Sequence, residues 1–503
     1  MFRSHVACPD LPTASVVRGK RRPPPWTSLA VLQKPGFILS MQIFLASLAS
    51  APVAWWHRLP LFASFLVVAL AVLLVLLVLV LAVEWVKGPV DVRVIDGVRL
   101  VGPAKLAKLT VYRDTARRSL QLVLGQVPWP LEFEDKHALI VGTTGVGKST
   151  LIRQVLGGIR RRGGRAIVVD LNGDFAAALG GPTDKRFNPF DAASLEWNPL
   201  YEIRQPADID LVLRAAIPTG TTPEDENWRG YARQFLHAIM VRLHEADELR
   251  FDRLRHYVMD AGDKELAAFL QTGSQPYRIQ ANSMASTVKS IAQSCVQSLA
   301  HASDAPDFSV REWVRGGRGF IFITPRDRDR AALVTLVNAF MNLAIAEALS
   351  APTGKRFRPI AVVVDELASF DFDDLEGVLE KGRKFGVVAF AGIQNIAQLR
   401  KKYGPDGATT LLACFRTKVV FNPGDAETAK RMAEELGRQT VERREVSRSY
   451  SPGKNSTTES WRREERFAVS PENLQRLPDL TAYLKLGGDY PVAKIVVPRP
   501  SVA

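Results

Sequence analysis

The most distinctive polar stretch of the sequence is the glycine-rich run GTTGVGKST at residues 142–150. It fits the pattern G-x-x-x-x-G-K-[ST], in which glycines allow successive backbone N–H groups to surround phosphate oxygens. In this pattern Lys148 contacts the β- and γ-phosphates of ATP, and the hydroxyl of Ser149 holds Mg²⁺. The alternative is a strand-to-helix turn without chemical function. The residues predicted to bind the nucleotide are Gly142, Thr143, Thr144, Gly145, Val146, Gly147, Lys148, Ser149 and Thr150.

A second candidate motif is the apolar run at residues 360–364, which ends in Asp365 and Glu366. Ligands of open α/β sheets bind at the carboxyl ends of the strands, so both carboxylates are expected there. Asp365 is placed to hold Mg²⁺ and Glu366 to polarise the attacking water, a combination that suits nucleotide hydrolysis. Taken alone, an Asp-Glu pair is a common strand terminus. Combined with the phosphate-loop pattern, it indicates a nucleotide-hydrolysing site.

Two further polar residues follow in the block EKGRKFGVVAFAGIQN. Gln394 comes directly after a predicted strand, where a neutral amide can hydrogen-bond the γ-phosphate or the attacking water. Arg383 lies at the end of the preceding helix and could stabilise transition-state charge in a neighbouring subunit. Spacing alone fits a surface arginine near a helix C-terminus equally well. Arg416 is the second candidate for this role.

The pattern of predicted strands and helices that must position these residues indicates an α/β fold. Six short runs are apolar without alternation, which implies burial on both faces and a mostly parallel sheet. A helix at residues 425–436 has Asp425 as its N-cap and Gly437 just beyond its end. The predicted strands are residues 138–141, 165–169, 319–323, 360–364, 387–391 and 417–421.

A long helical region separates the second and third of these strands. Trp228, Ala232, Phe235, Ile239 and Leu243 recur at helical spacing, which indicates packing rather than ligand binding. The predicted fold is a RecA-like nucleotide-binding domain interrupted by an all-α insertion. The predicted segments are 1–36 (disordered basic arm), 37–86 (transmembrane hairpin), 88–135 (small β-rich segment), 136–200 with 315–503 (nucleotide-binding domain) and 201–314 (all-α insertion).

The N-terminal part contains two apolar segments. Residues 61–83 carry no charge and as a helix span about 34 Å, which is enough to cross a bilayer. Residues 37–56 are less apolar but end in a Trp pair typical of a membrane interface, and the short link HRLP at 57–60 would make a tight hairpin. A cleaved signal peptide is the competing interpretation of the first segment. Met41 is a second possible start of the chain.

Composition constrains the partners. The 503-residue chain has a formal net charge of +14, which suits a polyanionic partner such as nucleic acid or acidic lipid. Simple solubility is the alternative reading of that charge. The three cysteines, Cys8, Cys295 and Cys414, have no C-x-x-C spacing, so neither a disulfide framework nor a zinc site is indicated.

Taken in order, several motifs resemble the TraD-type coupling proteins of conjugative type IV secretion, within the FtsK/HerA group of DNA-translocating ATPases. The resemblance covers roughly residues 95 to 500. The motifs that carry it are VGTTGVGKST, IVVDLNGDF, RFNPFD…WNPL, NWRGYARQFL, VVVDELASF, EKGRKFG…AGIQN and LPDLTAYLKLGGDYPVAKI.

This resemblance implies a homo-hexamer anchored in the bacterial inner membrane as a multi-pass protein, with its ATPase domain in the cytoplasm. It implies ATP-driven movement of DNA, single-stranded and attached to a relaxase, toward type IV secretion components. By motif match, Lys148 and Glu366 are catalytic, Ser149 and Asp365 hold the metal, Gln394 is the sensor and Arg383 acts on the neighbouring subunit.

The chain departs from this family in the short HRLP link, where relatives carry a sizeable periplasmic segment. Residues 438–466 are dense in charge of both signs and are expected to form a solvated hairpin, with a DNA-contacting loop as the alternative. Two other functions stay open from the sequence. One is a nucleotide-gated receptor or assembly component that moves little DNA, and the other is a chromosomal DNA pump of the FtsK/HerA kind.

Overall fold

The computed structural model separates at Val90 into two units, Met1–Val90 and Asp91–Ala503. Of the first unit only a helical turn at residues 72–74 is described, so the predicted membrane spans at 37–56 and 61–83 otherwise lie outside the described residues. The second unit holds all other described elements. The described ranges are residues 72–74, 92–171, 173–220, 222–271, 284–326, 328–350, 359–369, 375–451 and 454–499.

A ten-stranded sheet forms the centre of the second unit, in the order β2-β15-β14-β11-β5-β10-β9-β6-β8-β7. The six predicted strands form here with small changes at their ends, because each is a short run of mostly apolar residues that are almost all buried. The strands along the chain are β1 Val92–Gly97, β2 Leu100–Val101, β3 Val123–Leu124, β4 Val127–Pro128, β5 Ala138–Val141, β6 Arg165–Val169, β7 Lys185–Phe187, β8 Phe320–Ile323, β9 Ile360–Val364, β10 Val387–Ile393, β11 Thr417–Val420, β12 Arg438–Ser451, β13 Lys454–Phe467, β14 Thr481–Lys485 and β15 Val492–Val496.

Seven neighbouring strands, from β11 to β7, pair in parallel throughout. Beyond β11 the sheet continues with β14, which pairs antiparallel with β11, and with β15, which pairs antiparallel with β14. The last strand on this side, β2, pairs in parallel with β15. The predicted α/β fold with a mostly parallel sheet is therefore confirmed. Parallel pairing aligns the carboxyl ends of the central strands at one edge of the sheet, where ligands of such sheets bind.

Helices cover both faces of the sheet, as parallel strands with buried faces require. One apolar core contains Ile140 and Leu151, and the other contains Val141 and Phe340. The helices are α1 Pro103–Thr110, α2 Thr115–Leu120, α3 Leu131–Glu134, α4 Lys148–Arg161, α5 Asp174–Leu179, α6 Pro206–Ala216, α7 Pro223–Glu245, α8 Phe251–Arg255, α9 Asp263–Gln271, α10 Met284–Leu299, α11 Val310–Gly316, α12 Arg330–Leu349, α13 Leu375–Phe385, α14 Ile396–Cys414, α15 Ala426–Leu436 and α16 Pro471–Gln475.

The helical region between β7 and β8 is built on α7, where Ala232, Phe235, Ile239 and Leu243 of the predicted stripe are buried. Trp228 is half-buried at the start of that helix. These helices share one apolar core with the adjacent face of the sheet, because α12 packs between them and the strands. The helical region is thereby joined to the strands through packed side chains.

Among the described residues, one helix is long and apolar enough to cross a membrane by length and composition, namely α12, Arg330–Leu349. Its apolar window is 78% buried inside the protein. Burial of this extent follows from its position in the core between the sheet and the helical region.

A separate three-stranded sheet has the order β1-β12-β13. The two long strands β12 and β13 pair along their whole length, from Arg438↔Phe467 to Ser451↔Lys454. The expected hairpin at residues 438–466 therefore forms. Its charged side chains pair across the strands, for example Arg463 with Glu442 at 3.0 Å.

Candidate active site

Three neighbouring strands deliver the predicted motifs to one edge of the sheet. β10 lies between β5 and β9, and all three run in parallel. The glycine-rich loop follows β5, Gln394 follows β10, and Asp365 and Glu366 follow β9. Segments distant in the sequence are therefore adjacent in space.

The loop is bonded to the ends of two strands. The N–H of Gly142 donates to the carbonyl of Ile393 at 3.1 Å, and the N–H of Thr143 donates to the carbonyl of Asn422 at 2.9 Å. Gly145 and Gly147 have φ values of +84° and +115°, which side chains with a Cβ rarely adopt. Helix α4 begins directly after Gly147, so its positive end faces the interior of the loop.

Lys148 is 7% exposed and folds back over the loop. Its Nζ donates to the carbonyl of Gly142 at 2.7 Å and to that of Thr143 at 3.0 Å. Burial lowers the pKa of Lys148, and the carboxylates of Asp365 and Glu366 oppose that shift. A buried ammonium group beside two carboxylates is thus held within the loop that would surround phosphate.

Ser149 and Asp365 meet across the site. The hydroxyl of Ser149 donates to Oδ2 of Asp365 at 3.0 Å, although the residues are 216 positions apart. Burial raises the pKa of Asp365, while the bond from Ser149 and the charge of Lys148 lower it. A hydroxyl and a carboxylate oxygen side by side are hard oxygen donors of the kind that Mg²⁺ prefers.

Three carboxylate oxygens of the site are buried without a hydrogen-bond partner among the described residues: Oδ1 of Asp365 and both side-chain oxygens of Glu366. Burial raises the pKa of Glu366, and the charge of Lys148 and the nearby amide of Gln394 oppose that rise. Buried acceptors without donors are costly unless a ligand satisfies them. This donor set therefore fits a bound Mg²⁺ ion with nucleotide and water.

Gln394 is half-buried next to Glu366 at the end of β10, as its predicted role requires. The same strand contains Gly392, which the sequence analysis did not single out. A Cβ at Gly392 would lie 2.0 Å from the backbone oxygen of Asp365. The absence of a side chain there allows β10 and the Asp365 backbone to approach closely.

Arg383 lies at the end of α13 and before β10. It is therefore at the edge of the sheet where the central strands begin, opposite the edge formed by their carboxyl ends. The seven residues of β10, Val387–Ile393, separate that edge from Gln394 by roughly 20 Å. Its Nε donates to Asp135 at 2.9 Å. Arg416, which precedes β11, lies at this edge too. Neither arginine is therefore placed with Lys148 of its own chain.

Two other residues support the site and were not identified from the sequence. Asp170, at the end of β6, is 2% exposed and accepts the N–H groups of Phe175 and Ala176 at 2.8 and 2.9 Å. Burial raises the pKa of Asp170. Leu480 donates its N–H to the carbonyl of Val146 at 2.8 Å. The apolar run RAIVV ending in Asp170 is a signal that could have found the first, whereas no local pattern marks the second.

The parallel sheet, the glycine-rich loop and the adjacent carboxylates define a P-loop NTPase fold of RecA-like architecture. The family model described as type IV secretion-system coupling protein DNA-binding domain matches residues 121–498. The chain belongs to this family, and the predicted TraD-type resemblance is confirmed.

Individual relatives agree with this assignment. The coupling protein TraD of Escherichia coli (strain K12) is 26% identical over 473 residues, which cover 89% of this chain and 65% of TraD. The conjugative coupling protein TrwBdeltaN70, in its unbound monoclinic form, is 31% identical with a TM-score of 0.73, covering 81% of this chain and 94% of that one. TrwB in complex with ADP and Mg²⁺ is 31% identical with a TM-score of 0.72, covering 82% of this chain and 96% of that one.

Proposed function

We propose that this chain is a membrane-anchored coupling protein that hydrolyses ATP to deliver relaxase-bound DNA, single-stranded in form, to a type IV secretion apparatus. Its family and its likeness to TraD and TrwB support this role. The net charge of +14 supports a polyanionic substrate. The predicted basic arm, transmembrane hairpin, β-rich segment, nucleotide-binding domain and all-α insertion are part of the same proposal.

The nucleotide in this proposal is ATP with Mg²⁺, as the complex of TrwB with ADP and Mg²⁺ supports. Lys148 and the backbone N–H groups of the loop hold the phosphates, with Ser149 and Asp365 as protein ligands of the metal. When bound, Mg²⁺ neutralises charge on the phosphates. The remaining loop residues, Thr143, Thr144, Val146 and Thr150, shape the site around the nucleotide.

Hydrolysis is assigned to Glu366 and Gln394. Glu366 orients the attacking water and accepts its proton, because its carboxylate is buried beside Lys148 at the carboxyl end of β9. Gln394 lies beside it at the end of β10 and is placed to bond the γ-phosphate or the water. This amide connects the site to β10 and therefore to α13 at the far edge of the sheet.

Arg383 is assigned to the site of a neighbouring subunit in a homo-hexamer. Its position at the opposite edge of the sheet supports action on another subunit, since it is roughly 20 Å from its own Gln394. Residues 37–56 and 61–83 are the proposed membrane spans. They would place the chain in the bacterial inner membrane as a multi-pass protein with the ATPase domain in the cytoplasm.

The observation that carries this proposal is the meeting of Ser149 and Asp365 beside Lys148. The test is Mg-dependent ATP hydrolysis by the full chain in detergent, with single-stranded DNA, with double-stranded DNA and without DNA. We expect single-stranded DNA to stimulate turnover, and added salt to weaken that stimulation because phosphate contacts release counterions. Lys148→Ala removes nucleotide binding and turnover together.

Glu366→Gln is the matched variant, because it keeps the volume of the side chain and removes only the base. It is expected to bind a fluorescent ATP analogue like the wild type and to lose at least about 100-fold in turnover. Slow hydrolysis insensitive to DNA, combined with ATP-dependent retention of a relaxase, would instead support the receptor role. Unchanged DNA-stimulated turnover in Lys148→Ala would refute the assigned site.

A further inference from the structure

His137 is a buried side chain that has no part in the hydrolysis steps assigned above. It is 1% exposed and lies immediately before β5, the strand that leads into the glycine-rich loop. Its φ of 57° is uncommon for residues other than glycine, so the surrounding contacts must hold this conformation. The carbonyl of His137 accepts the N–H of Thr417 at 3.3 Å, which ties the backbone to the start of β11.

Both nitrogens of the imidazole are hydrogen-bonded, and each bonds a different segment. Nδ1 accepts the N–H of Ala389 in β10 at 3.0 Å. Because a backbone N–H can only donate, Nδ1 carries no proton, and the proton of the neutral ring is on Nε2. Nε2 therefore donates to the carbonyl of Leu379 in α13 at 2.9 Å. The ring of Phe415 packs nearly perpendicular to the imidazole, with 6.5 Å between the ring centroids.

The bond to Leu379 holds the turn of α13 that carries Arg383. In an α-helix the carbonyl of residue i accepts the N–H of residue i+4, so the turn that starts at the Leu379 carbonyl ends at Arg383. The segment before β5 contacts this turn at both ends, through His137 at Leu379 and through Asp135 at Arg383. The His137 contact does not involve the guanidinium, so it can persist when Arg383 changes its partner.

The imidazole is remote from the nucleotide site of its own chain. The four residues of β5 separate it from the glycine-rich loop by roughly 13 Å. Its bond to Ala389 reaches β10 five residues before Gln394. His137 can therefore affect hydrolysis by two routes, through α13 to Arg383 or through β10 to Gln394.

The way in which the two elements are held favours the route through α13. β10 is fixed in the sheet by backbone pairing with β5 on one side and β9 on the other. α13 instead rests on the sheet through apolar side chains such as Val378 and Leu379. Apolar packing is non-directional, so a buried hydrogen bond from the sheet has more influence on the position of this helix than on that of β10.

We propose that His137 is a positioning residue for Arg383. Its Nε2–H group fixes α13 on the sheet and so orients Arg383 toward the nucleotide of the neighbouring subunit. The inference rests on the proposed action of Arg383 on that subunit. Because His137 contacts neither the loop nor the carboxylates of its own site, its loss should lower turnover and leave nucleotide binding intact. A misplacement of about 1 Å in a catalytic group can cost about 100-fold in rate.

Two substitutions separate the two bonds of the ring. The side-chain amide of asparagine can occupy the position of Nδ1, and that of glutamine the position of Nε2. His137→Asn therefore keeps an acceptor for Ala389 and loses the donor to Leu379, whereas His137→Gln keeps the donor and loses the acceptor. In the full chain in detergent, we expect His137→Asn to bind an ATP analogue like the wild type and to lose about 100-fold in turnover. His137→Gln should keep most of its turnover.

A purely structural role predicts the reverse order of the two variants, because asparagine tolerates a positive φ better than glutamine does. An equal loss of turnover in both variants, or a larger loss in His137→Gln, would therefore overturn the proposal. Loss of ATP-analogue binding in His137→Asn would also overturn it, since the residue would then support the glycine-rich loop of its own chain.

Mixed oligomers show which subunit carries the defect. Lys148→Ala subunits have an intact Arg383, so mixing them with His137→Asn subunits should restore part of the turnover. Arg383→Ala subunits lack the arginine, so mixing them with His137→Asn subunits should restore nothing. The opposite pattern, recovery with Arg383→Ala and none with Lys148→Ala, would assign His137 to its own site through β10 and refute the positioning of Arg383.

The mixture of Lys148→Ala with Arg383→Ala is the reference for these results. If the reference recovers turnover but the mixture of Lys148→Ala with His137→Asn does not, the role of His137 is wrong and the action of Arg383 stands. If the reference itself recovers nothing, the action of Arg383 on the neighbouring subunit and the role of His137 are both wrong.

Discussion

The guanidinium of Arg383 bonds the carboxylate of Asp135 at 2.9 Å, on the edge of the sheet opposite Lys148. Both side chains are substantially exposed, at 60% and 35%. Exposed ion pairs of this kind contribute less than about 1 kcal/mol. The contact therefore orients Arg383 at the surface of the subunit without preventing its transfer to another acceptor.

If Arg383 acts on a neighbouring subunit, Arg383→Ala should bind an ATP analogue normally and lose about 1000-fold or more in turnover. Mixing two inactive variants tests the action on a neighbouring subunit more directly. Lys148→Ala subunits supply the arginine, and Arg383→Ala subunits supply an intact loop, so mixed oligomers should recover part of the activity that neither variant has alone. The measurement is ATP turnover as a function of the mixing ratio.

A matched mixture controls for this result. Lys148→Ala and Glu366→Gln both damage the site of their own subunit, so mixing them should restore nothing. Recovery in the control, or none in the Arg383 mixture, would place the arginine outside the catalytic machinery.

Gly392→Ala should displace Asp365 from its position in the site. The added Cβ would lie 2.0 Å from the oxygen of Asp365, and this is a backbone atom, so the strand ends must separate. We expect a loss of about 1–3 kcal/mol in stability and at least a tenfold loss in Mg-dependent turnover. Gly230→Ala, in α7 where a Cβ meets open space, is the control and should keep wild-type turnover. Normal turnover in Gly392→Ala would mean that Asp365 does not need its present position.

His137 should make the protein sensitive to acid. It is 1% exposed, its Nδ1 accepts the N–H of Ala389 at 3.0 Å, and its Nε2 donates to the carbonyl of Leu379 at 2.9 Å. Burial lowers the pKa of His137 from 6.5 to about 4. A neutral histidine in the folded state contributes fully above pH 6.5, the unfolded value, and its contribution is lost as the pH falls toward 4. The loss across this window is ~3 kcal/mol at most.

The measurement is the urea midpoint of a fragment beginning near residue 88, recorded from pH 7 to pH 4 for the wild type and for His137→Asn. Asparagine tolerates the φ of 57° at this position and keeps an acceptor for Ala389. His137→Asn should be less stable than the wild type at neutral pH, but its urea midpoint should fall less steeply as the pH is lowered. His301→Asn, at an exposed position, should decline like the wild type. Parallel declines in the wild type and His137→Asn would exclude His137 as the source.

Arg311 should hold the helices α6, α11 and α12 together. It is 8% exposed and donates to Asp208 of α6 at 2.6 Å and to Glu347 of α12 at 3.0 Å. Arg311→Ala leaves these buried carboxylates without their shared partner, at a cost of about 3–5 kcal/mol. The urea midpoint of the same fragment measures this loss. Arg250→Ala, which breaks an exposed pair with Asp252, should cost less than about 1 kcal/mol. Equal losses of stability in Arg311→Ala and Arg250→Ala would contradict a stabilising role for the buried ion pairs of Arg311.

Features that depend on neighbouring residues were predictable from the sequence. The loop at residues 142–150 lies in one contiguous run, and the strand before Asp365 is marked by unbroken apolar residues. Helix α15, Ala426–Leu436, begins after Asp425, whose side chain accepts the N–H of Thr428, and ends at Gly437 with a φ of 109°. Each of these signals arises from backbone preferences or burial over a few residues, so it can be recognised without knowledge of the fold.

Features that depend on strand order were decided only by the tertiary structure. Because β10 inserts between β5 and β9, Ser149 meets Asp365 and Gly392 contacts the Asp365 backbone. The same order carries Arg383 to Asp135, 248 positions away and at the edge remote from the loop. Sequence spacing alone left Arg383 either a catalytic or a surface residue. Local sequence sets the conformation of a segment, whereas the crossovers between strands set which segments become neighbours, and no short pattern encodes that pairing.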